Sequence, residues 1–521
     1  MRGLILLGLT ACLVLPRPAF AEEPPLPPGL DEVPALSGKE TQKDEEPPLP
    51  LGLEPESQPP LPSGLEPSSL KPSPEAPGSG EVPLPPGLEG PGRPAPPEET
   101  AGEPGPPSFF KTWLDKVPFD ISGFAEGRGG VRTRNDPTQK DLSIGEGRWE
   151  LQLDKDWEKI SLRLTSDFLF DAVPDDHSID LEMGTGWIDL REASILYRAS
   201  SFSDIKIGRQ ILTWGTGDFI FINDLFPKDW NSFLIGRNDE YLKAPSDAFK
   251  FSLFFSWVNM DVVYTPRFDN DRFIDGRRLS YFNINVGRIV GRNFPVNVAR
   301  RKNWFDDDEV SMRVFRNIGR FEAAFYGYWG YWKSPGGFDA TRGLFTFPEL
   351  NVYGASVRGP VGSGILNIET GYYDSGDDRK GNNPLIRNSE FRILVGYERE
   401  LLPEFTGSVQ YYLERMIDHA AYLKTLPSGF PAFKENRHVL TLRLTRLMMN
   451  QNLTLTLFNF YSPSDEDGYL RPKINYKFTD DWQGEIGANF FYGLRDHTFF
   501  GQFKDNSNVY VALRFGYSFP F

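Results

Sequence analysis

Charged side chains at close spacing, on a glycine- and aromatic-rich background, concentrate in one run: Gly208-Arg209-Gln210-Ile211-Leu212-Thr213-Trp214-Gly215-Thr216-Gly217-Asp218. It continues through Asn223-Asp224-Leu225-Phe226-Pro227-Lys228-Asp229-Trp230 to Arg237, Tyr241, Leu242 and Lys243. Its charged groups are Asp218, Asp224, Lys228, Asp229, Arg237 and Lys243, carboxylates and cations interleaved on tight backbone. One reading of them is structural: they cap turns and anchor the segment. A second charged stretch, 267 to 302, carries nine basic residues against three acids, a net +6. Within it Arg277, Arg278, Arg288 and Arg292 form a basic loop suited to an anionic solute or to lipopolysaccharide phosphates. Pairing with Asp306 to Glu309 and with acids of the preceding loop would instead make a cross-linked plug.

Catalysis needs a histidine with a carboxylate or serine partner. The four histidines are His177, His419, His438 and His497, and three of them follow an aspartate directly. Neighbours on an extended chain point apart, so Asp176-His177, Asp418-His419 and Asp496-His497 are not dyads by themselves. No Gly-x-Ser-x-Gly elbow, zinc spacing or phosphate loop occurs, so neither an enzyme, a cofactor nor a metal is expected.

The elements that would position these groups are strands. At the carboxy terminus Val509, Val511, Leu513, Phe515, Tyr517, Phe519 and Phe521 recur at every second position, which gives one apolar and one wet face. A chain ending on such an aromatic strand resembles the closing strand of bacterial outer membrane β-barrels. That resemblance implies that Phe515, Tyr517, Phe519 and Phe521 are read by the barrel assembly machinery. Upstream, Leu440-Leu442-Leu444 alternate with Thr441, Arg443 and Thr445, and Ile160-Leu162-Leu164 with Ser161, Arg163 and Thr165. Arginine turned inward against leucine turned outward fits a water-filled barrel, because a basic residue facing lipid at mid-bilayer costs about 2–4 kcal/mol. On this pattern Arg163, Asp167, Arg392, Arg443 and Arg514 face the lumen. From residue 118 onward the expected fold is all-β: a transmembrane, antiparallel, up-and-down barrel of about eighteen strands, with sixteen as the alternative. Tight connections follow even-numbered strands and longer ones follow odd-numbered strands, as periplasmic turns and external loops do. Consecutive aromatics such as Trp329, Tyr331, Trp332, Tyr411, Tyr412, Phe490, Phe491 and Tyr492 fall near strand ends, where membrane girdles belong.

The Gly-Arg-Gln, Trp-Gly, Asp, Pro-x-Asp succession at 208 to 229 resembles a poorly characterised family of proteobacterial outer membrane barrels. The resemblance covers most of 118 to 521 and is clearest between 118 and 270. It implies a porin-like barrel in envelope transport of lipidic or hydrophobic cargo. By analogy with porins, whose third external loop folds inward, it would make the run from Asp218 to Lys243 a charged constriction.

Other parts of the chain set its address. Residues 1–21 read as an export signal, with Arg2, the apolar core Leu4 to Leu15 and the cleavage site Ala19-Phe20-Ala21. The single cysteine, Cys12, lies in a lipobox-like Leu9-Thr10-Ala11-Cys12; cleavage after Ala21 would leave a mature chain without thiols. From 22 to 108 the composition holds 26 of the 45 prolines and 17 acidic against 4 basic residues, too polar and proline-rich for a core, so disorder is expected. Three copies of a Pro-Pro-Leu-Pro-x-Gly-Leu-acid unit and a fourth that begins Val82-Pro83 recur there, either as a repeated partner motif or as a stiff spacer. Residues 109–117 place Phe109, Phe110, Trp113, Leu114 and Val117 on one face of a short amphipathic helix. The expected setting is the cell outer membrane with the tail in the periplasm. Expected partners are lipid, lipopolysaccharide, the assembly machinery and a periplasmic partner of the tail. Nucleic acid is not expected for a chain of net charge −16.

Overall fold

A computed structural model describes residues 119–284 and 286–519. The signal, the proline-rich segment, the 109–117 helix and Phe521 lie outside the described residues.

Eighteen strands form one antiparallel sheet. They are β1 Asp120–Arg132, β2 Leu142–Asp156, β3 Ile160–Asp171, β4 Ile188–Ser200, β5 Ser203–Ile211 and β6 Pro245–Phe254. Next come β7 Asn259–Thr265, β8 Glu309–Ile318, β9 Phe321–Tyr331, β10 Glu349–Val361, β11 Gly364–Ser375 and β12 Glu390–Leu402. The set ends with β13 Phe405–Met416, β14 Asn436–Met448, β15 Leu453–Ser462, β16 Asp467–Lys477, β17 Trp482–Gly493 and β18 Asn508–Phe519. Each strand pairs with the next, and β18 pairs with β1 from Ile121↔Phe519 to Arg132↔Asn508, so the sheet closes without an edge. The fold is a transmembrane antiparallel barrel, with outward positions such as Leu440, Leu442, Val511 and Leu513 exposed.

Turns at one end are tight. In the β8–β9 and β10–β11 turns Gly319 and Gly362 adopt φ of +60° and +59°, the left-handed geometry that suits a two-residue hairpin. At the other end the connections are longer: loop L3 spans 212–244, L4 266–308, L5 332–348 and L9 494–507. The β15–β16 connection, 463–466, is the short exception.

The interior differs in character along the axis. Near the tight turns, inward side chains make polar pairs open to water, such as Arg163–Asp154 at 2.8 Å and Arg443–Glu398 at 2.6 Å. Toward the long loops the inward wall turns aromatic, and Tyr328, Tyr373, Phe458, Phe460, Tyr469, Phe491 and Tyr510 pack against L3 and L4 in an apolar core inside the barrel. The aromatic girdle expected from sequence is therefore only half present. Trp329, Tyr411, Phe490 and Tyr492 are exposed, whereas Tyr331, Trp332, Tyr412 and Phe491 are buried inside. Side chains alternate across a strand, so Tyr412 and Phe491 turn inward where Tyr411, Phe490 and Tyr492 turn outward. Tyr331, two positions from Trp329 at the end of β9, is instead covered by Phe268 and Arg301 of L4.

On the outer wall at the closing seam, β1 and β2 present Gly127, Gly129 and Gly147, where an added Cβ would meet nothing within 4 Å. Trp149, Phe168, Trp187, Trp482 and Phe515 border this shallow furrow. Gly130, one residue beyond Gly129, faces the packed interior, and a Cβ there would lie 2.8 Å from both Ile144 and Tyr510.

Candidate functional site

Loop L3 leaves β5 after Ile211, crosses the lumen and returns to β6 at Pro245. Its first half binds the far wall. The Glu369 carboxylate on β11 accepts from the backbone amides of Thr216 (2.8 Å) and Asn223 (2.7 Å), and the Tyr373 hydroxyl donates to the Ile222 carbonyl. Gln410 on β13 closes a reciprocal pair with the Asp218 backbone, at 2.9 and 3.1 Å. These contacts make L3 a partition tied to the far wall, with its backbone groups satisfied there.

The middle of L3 is a single helical turn, α1 Trp230–Ile235. Asp229 caps it by accepting from the Ser232 amide at 2.8 Å, and Gly236 ends it with φ +89°. Only glycine fits that end, because a Cβ would sit 2.2 Å from the Tyr510 ring. Arg128 on β1 donates to the Gly236 carbonyl at 2.7 Å, and Arg237 reaches Glu146 on β2 at 2.5 Å. Beyond it, the Tyr241 ring lies between the guanidiniums of Arg148 (4.1 Å) and Arg191 (4.7 Å).

The candidate residues of L3 fall into two sets. Asp224 and Lys228 pair with each other at 2.9 Å and are buried; Lys228 also donates to the Phe226 carbonyl. Asp229 and Arg237 are buried with Arg272 and Glu146, and the Lys243 carbonyl accepts from Arg191. These five sit inside the partition. Asp218 instead meets Arg443 on β14 at 3.0 Å, beside Glu398 on β12. Burial pushes the Asp218 carboxyl up to about 6; Arg443 opposes the shift, and Glu398 and Asp239 add to it.

Two acids that pattern reasoning missed complete this water-facing rim. Asp239 pairs with Arg471 (3.0 Å) and Lys473 (3.4 Å) on β16, and Glu240 with Arg514 on β18 at 2.9 Å. The rim therefore sets loop carboxylates against wall cations. Its wall half was legible as Arg471 and Lys473 alternating with Leu470 and Pro472 along one strand, and its loop half as the adjacent acids Asp239-Glu240.

Of the other inward candidates, Arg163 pairs with Asp154, Asp167 is buried with Arg148, and Arg392 lies 3.8 Å over the Tyr373 ring beside Glu390. Arg514 also bonds Glu126 at 2.9 Å. In L4, Arg278 is buried with Asp171 and Glu146, Arg292 pairs with Asp175 at 2.6 Å, Arg277 with Asp275 at 2.5 Å, and Arg288 is exposed. Arg272 binds Asp189 on β4 through two bonds of 2.7 and 2.8 Å. On β18, Phe515 packs on Trp482 at 5.0 Å, the Tyr517 hydroxyl donates to the Glu150 carbonyl at 2.7 Å, and Phe519 is exposed opposite Ile121. His177 and His419 each direct a ring nitrogen at a backbone carbonyl, of Asp171 and Phe433, and His438 meets the Tyr411 hydroxyl at 2.8 Å.

Neither a protein-family model nor a curated protein matches the sequence. Among solved structures, the chain is similar to OccAB4 of Acinetobacter baumannii, with a TM-score of 0.49, 10% identity, and coverage of 78% of this chain and 100% of that one. It is also similar to OccK11 (OpdR) of Pseudomonas aeruginosa, at TM-score 0.46, 10% identity and coverage of 77% and 96%. A third is the outer membrane protein OpdK of Pseudomonas aeruginosa, at TM-score 0.45, 8% identity and coverage of 77% and 99%. Strand number and closure rest on the β1–β18 pairing of this chain itself.

Proposed function

We propose that the protein is an outer membrane transport barrel held closed by L3, with a polar vestibule on the tight-turn side that ends at the carboxylate–cation rim. One observation carries this reading: L3 crosses the lumen from Glu369 on β11 to Arg128 on β1, and bonds to both walls. Eighteen strands enclose enough space for an aqueous channel, so a loop across it acts as a gate. The rim would select solute by charge once L3 moves, through Asp218, Asp239 and Glu240 against Arg443, Arg471, Lys473 and Arg514. Transmembrane barrels turn their long loops outward, so on this reading the vestibule faces the periplasm. Arg288 and Lys302, exposed in L4, would then be available to lipopolysaccharide phosphates.

The test is single-channel conductance in planar bilayers, for the intact chain and for a chain with 214–243 replaced by a short glycine-serine linker. A silent intact barrel that conducts steadily without the loop supports the gate. An intact barrel with large, steady conductance overturns the closed state. The firm anchoring of L3 also favours a second reading, a structural barrel that presents its proline-rich tail to a partner; silence of both proteins in the bilayer would move the conclusion there.

A further inference from the structure

Above α1, on the long-loop side, five segments (L3, L4, L5, L9 and β15) line an apolar cavity, about 580 Å³ when the part open to solvent is counted. Phe219, Trp230 and Phe233 come from L3, Phe273 from L4, Phe460 from β15 and Phe500 from L9. The rings contact one another edge to face and tilted, with Phe233 6.1 Å from Phe460, and Phe460 5.4 Å from Phe500. Among the described residues, no lysine, arginine, aspartate or glutamate lines the cavity. Its two polar side chains are already committed. Ser334 donates to Asp271 at 2.7 Å; Gln502 accepts from the Phe282 amide at 3.2 Å and donates to the Phe499 carbonyl at 3.0 Å.

From this we infer that the cavity is a binding site for an uncharged ligand with a one-ring aromatic or comparably small alkyl part, seated directly on the loop that closes the lumen. The inference rests on the transport reading and names its substrate class. A charged group entering the cavity would be desolvated with no free partner, which makes the site selective by exclusion. An apolar body gains by leaving water for aromatic walls. Because Phe219, Trp230 and Phe233 form both the floor of the site and the core of the partition, occupancy and closure are coupled through the same side chains.

The experiment is photolabelling of the full chain in lipid nanodiscs with 3-trifluoromethyl-3-phenyldiazirine, an uncharged one-ring probe, followed by peptide mapping. Lipid-facing strands take up label in proportion to dose and serve as the internal control. The expected result is saturable labelling of peptides around 230–236 and 499–503 that toluene competes and benzoate does not. Filling the cavity with Ile274→Trp should reduce it at least tenfold. Heat-modifiable migration on gels confirms that the variant is folded, and Phe273→Ala provides a second variant, expected to retain saturable labelling in an enlarged site. Non-saturable labelling of those peptides, labelling unchanged in Ile274→Trp, or competition by benzoate as strong as by toluene overturns the inference. Failure of the loop deletion to conduct overturns the transport reading instead and leaves the labelling result as it stands.

Discussion

Replacing Arg272 with methionine tests whether buried ion pairs hold the partition. Arg272 is 1% exposed and sits at the junction of three segments. Its two terminal nitrogens reach Asp189 at 2.8 and 2.7 Å, one of them lies 3.5 Å from Asp229, and its Nε donates to the Glu182 carbonyl at 3.3 Å. Burial by itself lowers the basicity of the guanidinium, and Asp189 and Asp229 more than reverse it. Removing one member of a buried pair leaves uncompensated charge and costs about 3–5 kcal/mol. In Arg272→Met, Asp189 and Asp229 keep only the more distant Arg191 (3.9 Å) and Arg237 (3.7 Å). At about 1.4 kcal/mol per tenfold, the opening equilibrium of L3 and L4 shifts by roughly two to three and a half orders of magnitude. Amide hydrogen exchange reads this directly at Trp230 and Arg272, whose amides bond the Arg272 and Lys228 carbonyls across the L3–L4 contact. Strands β9 to β11 should keep their protection, since their ladders do not pass through Arg272. Adding Asp229→Asn should restore part of the loss, because it removes the buried carboxylate that faced Arg272 while Arg237 keeps Glu146. Asp189 is left in place because the buried Arg191 lies 3.9 Å from it. Less than tenfold faster exchange in the loops, or equal loss in wall and loops, refutes the reasoning.

Four further outcomes follow from local geometry. Gly236→Ala should loosen L3 by more than the usual cost of about 1–3 kcal/mol for a strained left-handed residue. The added clash with Tyr510 supplies the excess, and limited proteolysis within 228–243 measures it. Asp269, in L4, has its carboxyl pushed up to about 7 by burial and then by Asp247. A carboxyl raised above its unfolded value of 3.8 favours the fold when protonated, so this contribution is present at acid pH and is lost as pH rises through about 7. Protease sensitivity of L4 should therefore increase between pH 5.5 and 8, and Asp269→Asn should flatten that profile. Arg443→Gln should change stability by less than about 1 kcal/mol, because the pair is partly exposed, while making a loop-deleted barrel more cation-selective in reversal-potential measurements. Gly127→Leu on the lipid face should leave the thermal transition unchanged, whereas Gly130→Leu, which meets Ile144 and Tyr510, should lower it or prevent folding.

Much of the site was legible as composition but not as arrangement. Asp218 and Asp229 lie eleven positions apart in one run, each followed by an aromatic residue, yet the first faces the rim and the second caps α1. Nothing within the run distinguishes them, because their partners, Arg443 and Arg272, arrive from β14 and L4. Asp239 and Glu240 were missed for the converse reason: adjacent acids on a loop read as solvated until the wall supplies Arg471, Lys473 and Arg514.

By itself, the sequence determined the wall. Period-two alternation identifies strands and their two faces wherever one side meets hydrocarbon and the other does not, and the alternation of short and long connections orders them into an up-and-down barrel. Tertiary structure alone decided what fills that wall. Closure of β18 on β1 brings Glu126, Arg128 and Glu485 into one buried cluster, with bonds of 3.0 and 2.8 Å, and lets it grip the end of α1. The Arg128–Glu485 and Arg128–Gly236 contacts join residues 357 and 108 positions apart, so their energies depend on distance through space and burial rather than on spacing along the chain.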